Sequence, residues 1–255
     1  MIAASFFAVV LGLASALVAG LVGSFALMKR ITLAGDVISH LALPGLGLAF
    51  LWHFQPLAGA ALTLAIGIVL IDQLQRRSGL IAESAIGVVF VAALAAGTLV
   101  TPTEDLIDAL FGGFGEINVV GFALGIAGCV IVAATIYVLR HELILGIFSP
   151  DLARSLKINI DRVNLLYLFS FGLTVLLGLH FLGSLLVGAM IIVPPAVARR
   201  LSNTLDQYLI LSALTSMTAA GLGFAISFHW HLPLGPVIVA VVSAIFAASL
   251  ARRRA

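Results

Sequence analysis

Two side chains that could bind a metal ion lie four residues apart near the N-terminus. They are Asp36 and His40, in the segment GDVISHLALPG. In a helix, residues four apart lie on one face, one turn from each other. A carboxylate oxygen and an imidazole nitrogen so placed can contact one divalent cation such as zinc or manganese. The same pair also suits a structural role, in which Asp36 caps a helix and His40 hydrogen-bonds a carbonyl. The spacing alone favours that structural role.

A second pair of histidines is a weaker candidate. His229 and His231 flank Trp230 at the predicted outer end of a membrane span, where tryptophan is typical of the membrane–water interface. The pair is predicted to be interfacial, and passing a metal inward is the alternative. Cysteine does not contribute, because the single Cys129 excludes a disulfide framework and a metal site built from cysteines.

The elements that must position these residues are membrane-spanning helices. Of the 255 residues, 62% are hydrophobic and 9% are charged, whereas soluble domains have about 45–50% apolar and about 25% charged residues. This composition excludes a soluble enzyme, and the continuous apolar runs exclude a β-barrel of short alternating strands. We therefore predict an all-α, polytopic transmembrane helical bundle of eight or nine spans that forms one domain over residues 1–255.

Apolar runs between polar breaks predict about nine spans, numbered here in chain order. The first span precedes Lys29 and is not followed by a cleavage site, so it is predicted to be retained in the membrane. Pro194-Pro195 predicts a kink or break in the seventh span. The approximate bounds are 4–27, 36–53, 57–74, 83–101, 118–139, 163–180, 184–199, 206–228 and 235–251.

All 13 basic residues fall on one side of these spans. Cytoplasmic loops hold an excess of Lys and Arg, so the N-terminus is predicted to lie outside and the C-terminus inside. Because Lys29 and Arg30 mark the cytoplasmic edge, Asp36 is expected near that face. His40 is then expected about 6 Å deeper, at about 1.5 Å per residue.

Two connections are longer than simple turns. The inner one, 140–162, contains Ser149, whose side chain is predicted to cap a short helix that begins at Pro150. Such a helix has two equally weighted interpretations, one in which it rests on lipid and one in which it docks a cytoplasmic partner. The outer connection, 101–118, contains DLIDALFGGFGEI, which predicts a short helix at the outer surface.

Several motifs of enzymes and nucleotide-binding proteins are absent from the sequence. It has no G-x-x-x-x-G-K-[ST] phosphate loop, so the chain is not expected to bind ATP in that way. It also has no G-x-S-x-G turn and no H-E-x-x-H pair. The basic clusters are only juxtamembrane, so nucleic acid is not an expected partner.

Four blocks together resemble one known family. The run SFALMKRITLAGDVISHLALPGLGLAF is similar to the signature of the permease subunits of ATP-binding-cassette importers for zinc, manganese and iron(II), the ABC-3 type. The segment LFGGFGEI is similar to the family's outer-loop motif, and FSPDLARSLKI is similar to its cytoplasmic coupling helix. The segments LLVGAMIIVPPAVARRLS and LPLGPVIVAV are similar to its C-terminal half. The blocks occur in the same order as in the family. The resemblance covers nearly the whole chain.

The resemblance implies roles for individual residues. Asp36 and His40 match the aspartate and histidine that contact the cation in the family's transmembrane pathway, which reverses the preference for a structural role. A coupling helix at about 149–157 is implied to sit in a groove of the ATPase subunit, with Asp151 and Arg154 as contact residues. Lys157 departs from the glycine that the family often has after this helix. The implied ATPase-coupling residues are Ser149, Pro150, Asp151, Leu152, Ala153 and Arg154.

The expected function is therefore a permease subunit in a bacterial cytoplasmic (inner) membrane, without an ATPase site or a permanently bound cofactor. Zinc is the first choice of cargo because SPDLA and PPAVARR look most like zinc-uptake members, with manganese and iron(II) as alternatives. The implied partners are ABC ATPase subunits, an extracytoplasmic metal-binding protein, a second permease copy and the lipid bilayer.

Two other classes of function stay open at this point. One is an ion-gradient-driven secondary transporter in which Asp36 couples protons. The other is an intramembrane enzyme in which Asp36 and His40 are an acid–base pair, although the predicted spans supply almost no further polar residues for it.

Overall fold

The computed structural model describes residues 2–100, 119–182 and 184–251, and side chains within 6–100, 119–179 and 186–251. The described residues form helices and connections, with no strand. The predicted outer helix in 101–118 and the arginines at 252–254 lie outside this description. The elements are α1 (Ile2–Met28), α2 (Ala34–Ser39), a 3₁₀ turn (His40–Ala42), α3 (Leu43–Leu51), α4 (Pro56–Ser78), α5 (Ala82–Val100), α6 (Val119–Phe148), α7 (Pro150–Ser155), α8 (Ile160–Leu182), α9 (Ser184–Leu201), α10 (Leu205–Trp230) and α11 (Leu234–Ala251).

Eight helical segments in the described part of the chain are long and apolar enough to cross a membrane. They correspond to every predicted span except the seventh, 184–199, where the structure has the 18-residue helix α9. This helix continues through Pro194 and Pro195 without a break. The prediction of an all-α polytopic bundle with eight or nine spans is confirmed.

Helix α1 lies at the centre of the bundle. It packs against α6, α8, α9 and α10, and small residues let the backbones approach closely. A Cβ atom on Gly20 would lie 2.7 Å from the carbonyl oxygen of Ser212, and one on Gly23 would lie 2.1 Å from that of Ile191. Ser212 also donates a hydrogen bond of 2.7 Å to the Gly20 carbonyl, so α10 is tied to α1 by polar contacts as well as by packing.

The four helices around α1 form an incomplete ring. α6 packs on α8, α8 on α9 and α9 on α10, whereas α6 and α10 do not pack closely against each other. The short helix α2 packs on α8 and α9, which places it across α1 from the gap between α6 and α10. The bundle therefore has two distinct sides.

The second predicted span, 36–53, is present as the segment Ala34–Leu51, but it is not one regular α-helix. The chain is α-helical over Ala34–Ser39, tightens to a 3₁₀ turn at His40 and returns to α-helix at Leu43. The Ser39 hydroxyl donates to the Asp36 carbonyl oxygen at 2.6 Å, an i to i−3 bond that competes with the regular helical pattern. A 3₁₀ stretch in the middle of a helix often marks a functional hinge or a strained sequence.

The inner connection is shorter than predicted, because α6 continues to Phe148 instead of ending near residue 139. The following helix, α7, begins at Pro150 as predicted and ends at Ser155, so it is shorter than the segment of about 149–157 implied by the resemblance. Ser149 is its N-terminal flanking residue, but the prediction of a side-chain cap is wrong, since no such hydrogen bond forms. Instead, the Ser149 carbonyl oxygen accepts from the Ala153 amide at 3.0 Å.

Candidate metal site

Asp36 lies in the first turn of α2 and its side chain is exposed. Gly188 of α9 lies directly against it, because a Cβ atom on this glycine would be 3.4 Å from the Asp36 Cβ. α2 begins with Leu33 as its flanking residue and without a side-chain cap. Asp36 therefore does not cap this helix, and its carboxylate remains available to a ligand.

His40 stands at the first position of the 3₁₀ turn, one helical turn beyond Asp36. Its side chain is partly buried, and its ring lies 5.6 Å from that of Phe90 on α5, centroid to centroid. The Nδ1 atom is buried and has no hydrogen-bond partner among the described residues. A buried polar atom without a hydrogen-bond partner destabilises a fold by about 1–3 kcal/mol. The unpartnered Nδ1 atom of His40 therefore lowers the stability of this fold.

These two residues supply only part of a metal coordination shell. Among the described residues, no group of three or more His, Cys, Asp or Glu side chains could hold a metal ion. Tetrahedral zinc requires four ligands. One chain therefore offers a cation at most the Asp36 carboxylate and the His40 imidazole, and no third such side chain among the described residues joins them.

The weaker histidine candidates lie elsewhere in the fold. His229 is exposed in the last turn of α10, and its ring meets that of Trp230 edge-on at 5.1 Å. His231 follows the helix, exposed, with a left-handed backbone (φ 51°). In the described part of the chain neither histidine joins a metal-binding group of three, and their role in passing a metal inward stays a prediction.

The predicted coupling residues form an exposed helix with one buried anchor. Ala153 is fully buried, whereas Leu152 is 51% exposed. Asp151 and Arg154 are exposed and 3.6 Å apart across one helical turn, a pairing worth at most about 1 kcal/mol at a surface. Both charges, together with the apolar Leu152, are therefore available to a partner.

A pocket of about 520 Å³ with a mixed polar and apolar lining lies where α1 ends. Lys29 is partly buried there, donates a hydrogen bond to Oδ1 of Asn164 and stands 4.7 Å from the centre of the Tyr167 ring. Burial lowers the pKa of Lys29 from 10.5 to about 8, because a low dielectric disfavours the charged ammonium. This lysine links α1 to the start of α8.

Two neighbours of the site were not predicted from the sequence. Nothing in the sequence named Gly188 as a neighbour of Asp36. Phe90 carried no signal at all, since it is one apolar residue among many in the fourth predicted span. The contact of Gly188 with Asp36 and that of Phe90 with His40 join distant parts of the chain. They arise because α2 packs on α9 and the 3₁₀ turn packs on α5.

Comparison with known proteins agrees with the sequence resemblance. The model of the ABC 3 transport family matches residues 1–253. The manganese import system permease protein ScaB of Streptococcus parasanguinis is 30% identical over 243 residues, 94% of this chain and 86% of the relative. The high-affinity zinc uptake system membrane protein ZnuB of Haemophilus influenzae is 28% identical over 256 residues, 96% of each chain.

A solved structure also matches the fold. PsaBC from Streptococcus pneumoniae in complex with Fab has a TM-score of 0.81 and 25% sequence identity, and the match covers 95% of this chain and 89% of that one. Sequence and fold therefore agree over nearly the whole length. This chain belongs to the ABC 3 transport family.

Proposed function

We propose that this chain is the permease subunit of an importer that moves a divalent transition-metal cation, with zinc as the first choice, into the cytoplasm. The observation that carries the proposal is the pair Asp36 and His40. The carboxylate is exposed and does not cap its helix, and the imidazole Nδ1 is buried without a partner. In a chain of this family, such a pair beside a 3₁₀ turn suits a cation in transit.

Two ligands per chain favour transport over storage. A closed shell of four protein ligands is typical of structural zinc sites that do not release their metal. Two copies of the chain would bring two Asp36 and His40 pairs to one cation, and their separation would open the shell. We therefore propose a homodimer whose two halves share the cargo.

The energy is proposed to come from a separate ATPase that docks on α7. Its exposed Leu152 offers an apolar contact, and Asp151 and Arg154 offer charges on both sides of it. Movement of α7 would shift the end of α6, on which it packs, so that ATP binding favours one of two arrangements of the bundle. An extracytoplasmic metal-binding protein would deliver the cation to the outer face.

The two proposed ligands do not by themselves distinguish zinc from manganese. An aspartate and a histidine suit both cations, and the relatives described above include proteins named for each. Competition uptake of both radiolabelled metals by one preparation distinguishes them. Zinc as cargo predicts that excess unlabelled zinc suppresses both uptakes more strongly than excess manganese does.

Purification in mild detergent, followed by uptake into proteoliposomes, tests the proposal as a whole. An ATPase that copurifies and is required for metal uptake is expected. Uptake by this chain alone, driven by a proton gradient and lost in Asp36→Asn, would instead support the secondary transporter.

A further inference from the structure

The gap in the ring around α1, between α6 and α10, forms a groove. Its cavity has a volume of about 730 Å³ and an almost entirely apolar lining. Leu17 and Leu21 of α1 form the floor, and residues from Val130 to Arg140 on α6 and from Asp206 to Met217 on α10 form the walls. The rims are apolar and open, with Val130 61% and Leu214 50% exposed.

The length of the groove corresponds to one leaflet of a bilayer. Arg140 lies ten positions after Val130 on α6, a rise of about 15 Å at about 1.5 Å per residue. The hydrocarbon core of a bilayer is about 30 Å thick, so one leaflet contributes about half of that. An acyl chain lying in the groove would span it from the bilayer centre to the headgroup level.

Two opposite charges stand at the same end of this groove. Arg140, near the inner end of α6, and Asp206, in the first turn of α10, both line the cavity. The Arg140 guanidinium lies 4.0 Å from the centre of the exposed Tyr137 ring, an aromatic side chain of the type that is enriched at membrane interfaces. In the part of the chain that the structure describes, neither Arg140 nor Asp206 is in an ion pair.

We propose that this groove binds an inner-leaflet phospholipid with a primary amine in its headgroup, that is, an aminophospholipid. One acyl chain occupies the groove over Leu17 and Leu21. Arg140 binds the phosphate through a charge-assisted hydrogen bond, and Asp206 accepts from the ammonium group. The pairing of one cation and one anion matches a zwitterionic headgroup better than a purely anionic one.

A helix from a second copy of the chain is the other occupant to consider. α2 and Asp36 lie across α1 from the groove, so a copy that shares the Asp36 site, as proposed above, approaches from the opposite side. The groove is then left to lipid. The lipid site itself does not depend on metal transport.

Native mass spectrometry of the full chain in detergent, titrated with phosphatidylethanolamine, phosphatidylcholine and phosphatidylglycerol of identical acyl chains, tests this site. We expect about tenfold tighter binding of phosphatidylethanolamine, the effect of one additional charged hydrogen bond. Arg140→Gln should lower this affinity about tenfold, and Asp206→Asn should remove the preference for the amine. Arg77→Gln, at an exposed site at the inner end of α4, should change neither.

A second variant tests the groove itself. Ala134→Phe places a ring in the cavity and should abolish the tight binding. Ala127→Phe, two turns further out on α6 and outside the lining, should not. Equal binding of all three lipids, or an unchanged affinity in Ala134→Phe, would overturn the proposal. So would efficient crosslinking of Leu214→Cys between two copies in membranes, which would assign the groove to a protein interface.

Discussion

Gly188 of α9 lies so close to Asp36 of α2 that a methyl group on the glycine would already be in van der Waals contact with it. A Cβ atom on the glycine would lie 3.4 Å from the Asp36 Cβ and 3.6 Å from its Cα. The backbone and Cβ atom of Asp36 therefore pack against a residue 152 positions later in the chain.

This contact predicts a graded effect of side-chain size at position 188. Gly188→Ala should transport metal nearly as well as the wild type, because 3.4 Å is an ordinary van der Waals contact. Gly188→Leu should displace Asp36 and lower uptake about 10- to 100-fold, as the loss of a ligand-orienting contact does in metal sites. Gly87→Leu is the matched control, since a Cβ atom there meets nothing within 4 Å. Equal uptake by the two leucine variants would contradict the role of this contact.

The lowered pKa of the partly buried Lys29 predicts that the stability of the fold depends on pH. Its pKa is lowered to about 8 in the folded chain, from 10.5. Below pH 8 the lysine is charged in both states, and its burial destabilises the fold. Between pH 8 and 10.5 the unfolded chain keeps a proton that the folded chain has lost, so the free energy of unfolding rises with pH.

Unfolding of the purified chain in detergent at pH 7.5 and pH 10 measures this effect. The wild type should be more stable at the higher pH, and Lys29→Met should lose most of that difference. The exposed Lys157→Met should keep it. A wild-type stability that falls over this interval would contradict the assignment of the effect to Lys29.

The end of α7 predicts a stabilising substitution. Lys157 has a left-handed backbone (φ 58°), and the Ile158 amide donates to the Ala153 carbonyl oxygen at 2.9 Å, the helix-ending pattern that usually has glycine at this position. Lys157→Gly should stabilise the chain by about 1 kcal/mol, because glycine adopts this conformation without a Cβ clash. Thermal unfolding measures the gain, and Lys157→Ala, which keeps the Cβ atom, should not produce it.

The proposed docking of an ATPase on α7 predicts an effect of the exposed residue Leu152. Leu152→Asp should lower the amount of copurified ATPase at least tenfold and leave the amount of permease in the membrane unchanged, because the side chain is 51% exposed and contributes little to the core. Ser155→Ala, at the end of the same helix, serves as the control. Full ATPase recovery with Leu152→Asp would place the docking surface elsewhere.

Much of the fold could be predicted from the sequence because the bilayer constrains it strongly. Long apolar runs must be helical in lipid, and the one-sided distribution of the basic residues separates one span from the next. The spacing of Asp36 and His40 likewise indicated a pair on one helical turn. These features depend on residues that are close together in the chain.

What could not be predicted depends on contacts between distant residues. The 3₁₀ turn at His40 accompanies packing against α4 and α5, and the contact of Gly188 with Asp36 joins helices far apart in the sequence. The helix α6 is longer than the predicted span because a helix can continue past Arg140, where the apolar run ends. Ser149 has the right residue type for a cap, but its hydroxyl does not make that bond.

Metal uptake by the single variants Asp36→Ala and His40→Ala tests the central claim most directly. Each is compared in cells that lack the native permease, with membrane abundance measured in parallel and with His53→Ala and Asp161→Asn, two exposed sites, as controls. We predict that both site variants reach the membrane at wild-type levels and lose uptake of radiolabelled zinc and manganese, while both controls retain it. Wild-type uptake by Asp36→Ala and His40→Ala would contradict the assignment of these residues to the metal.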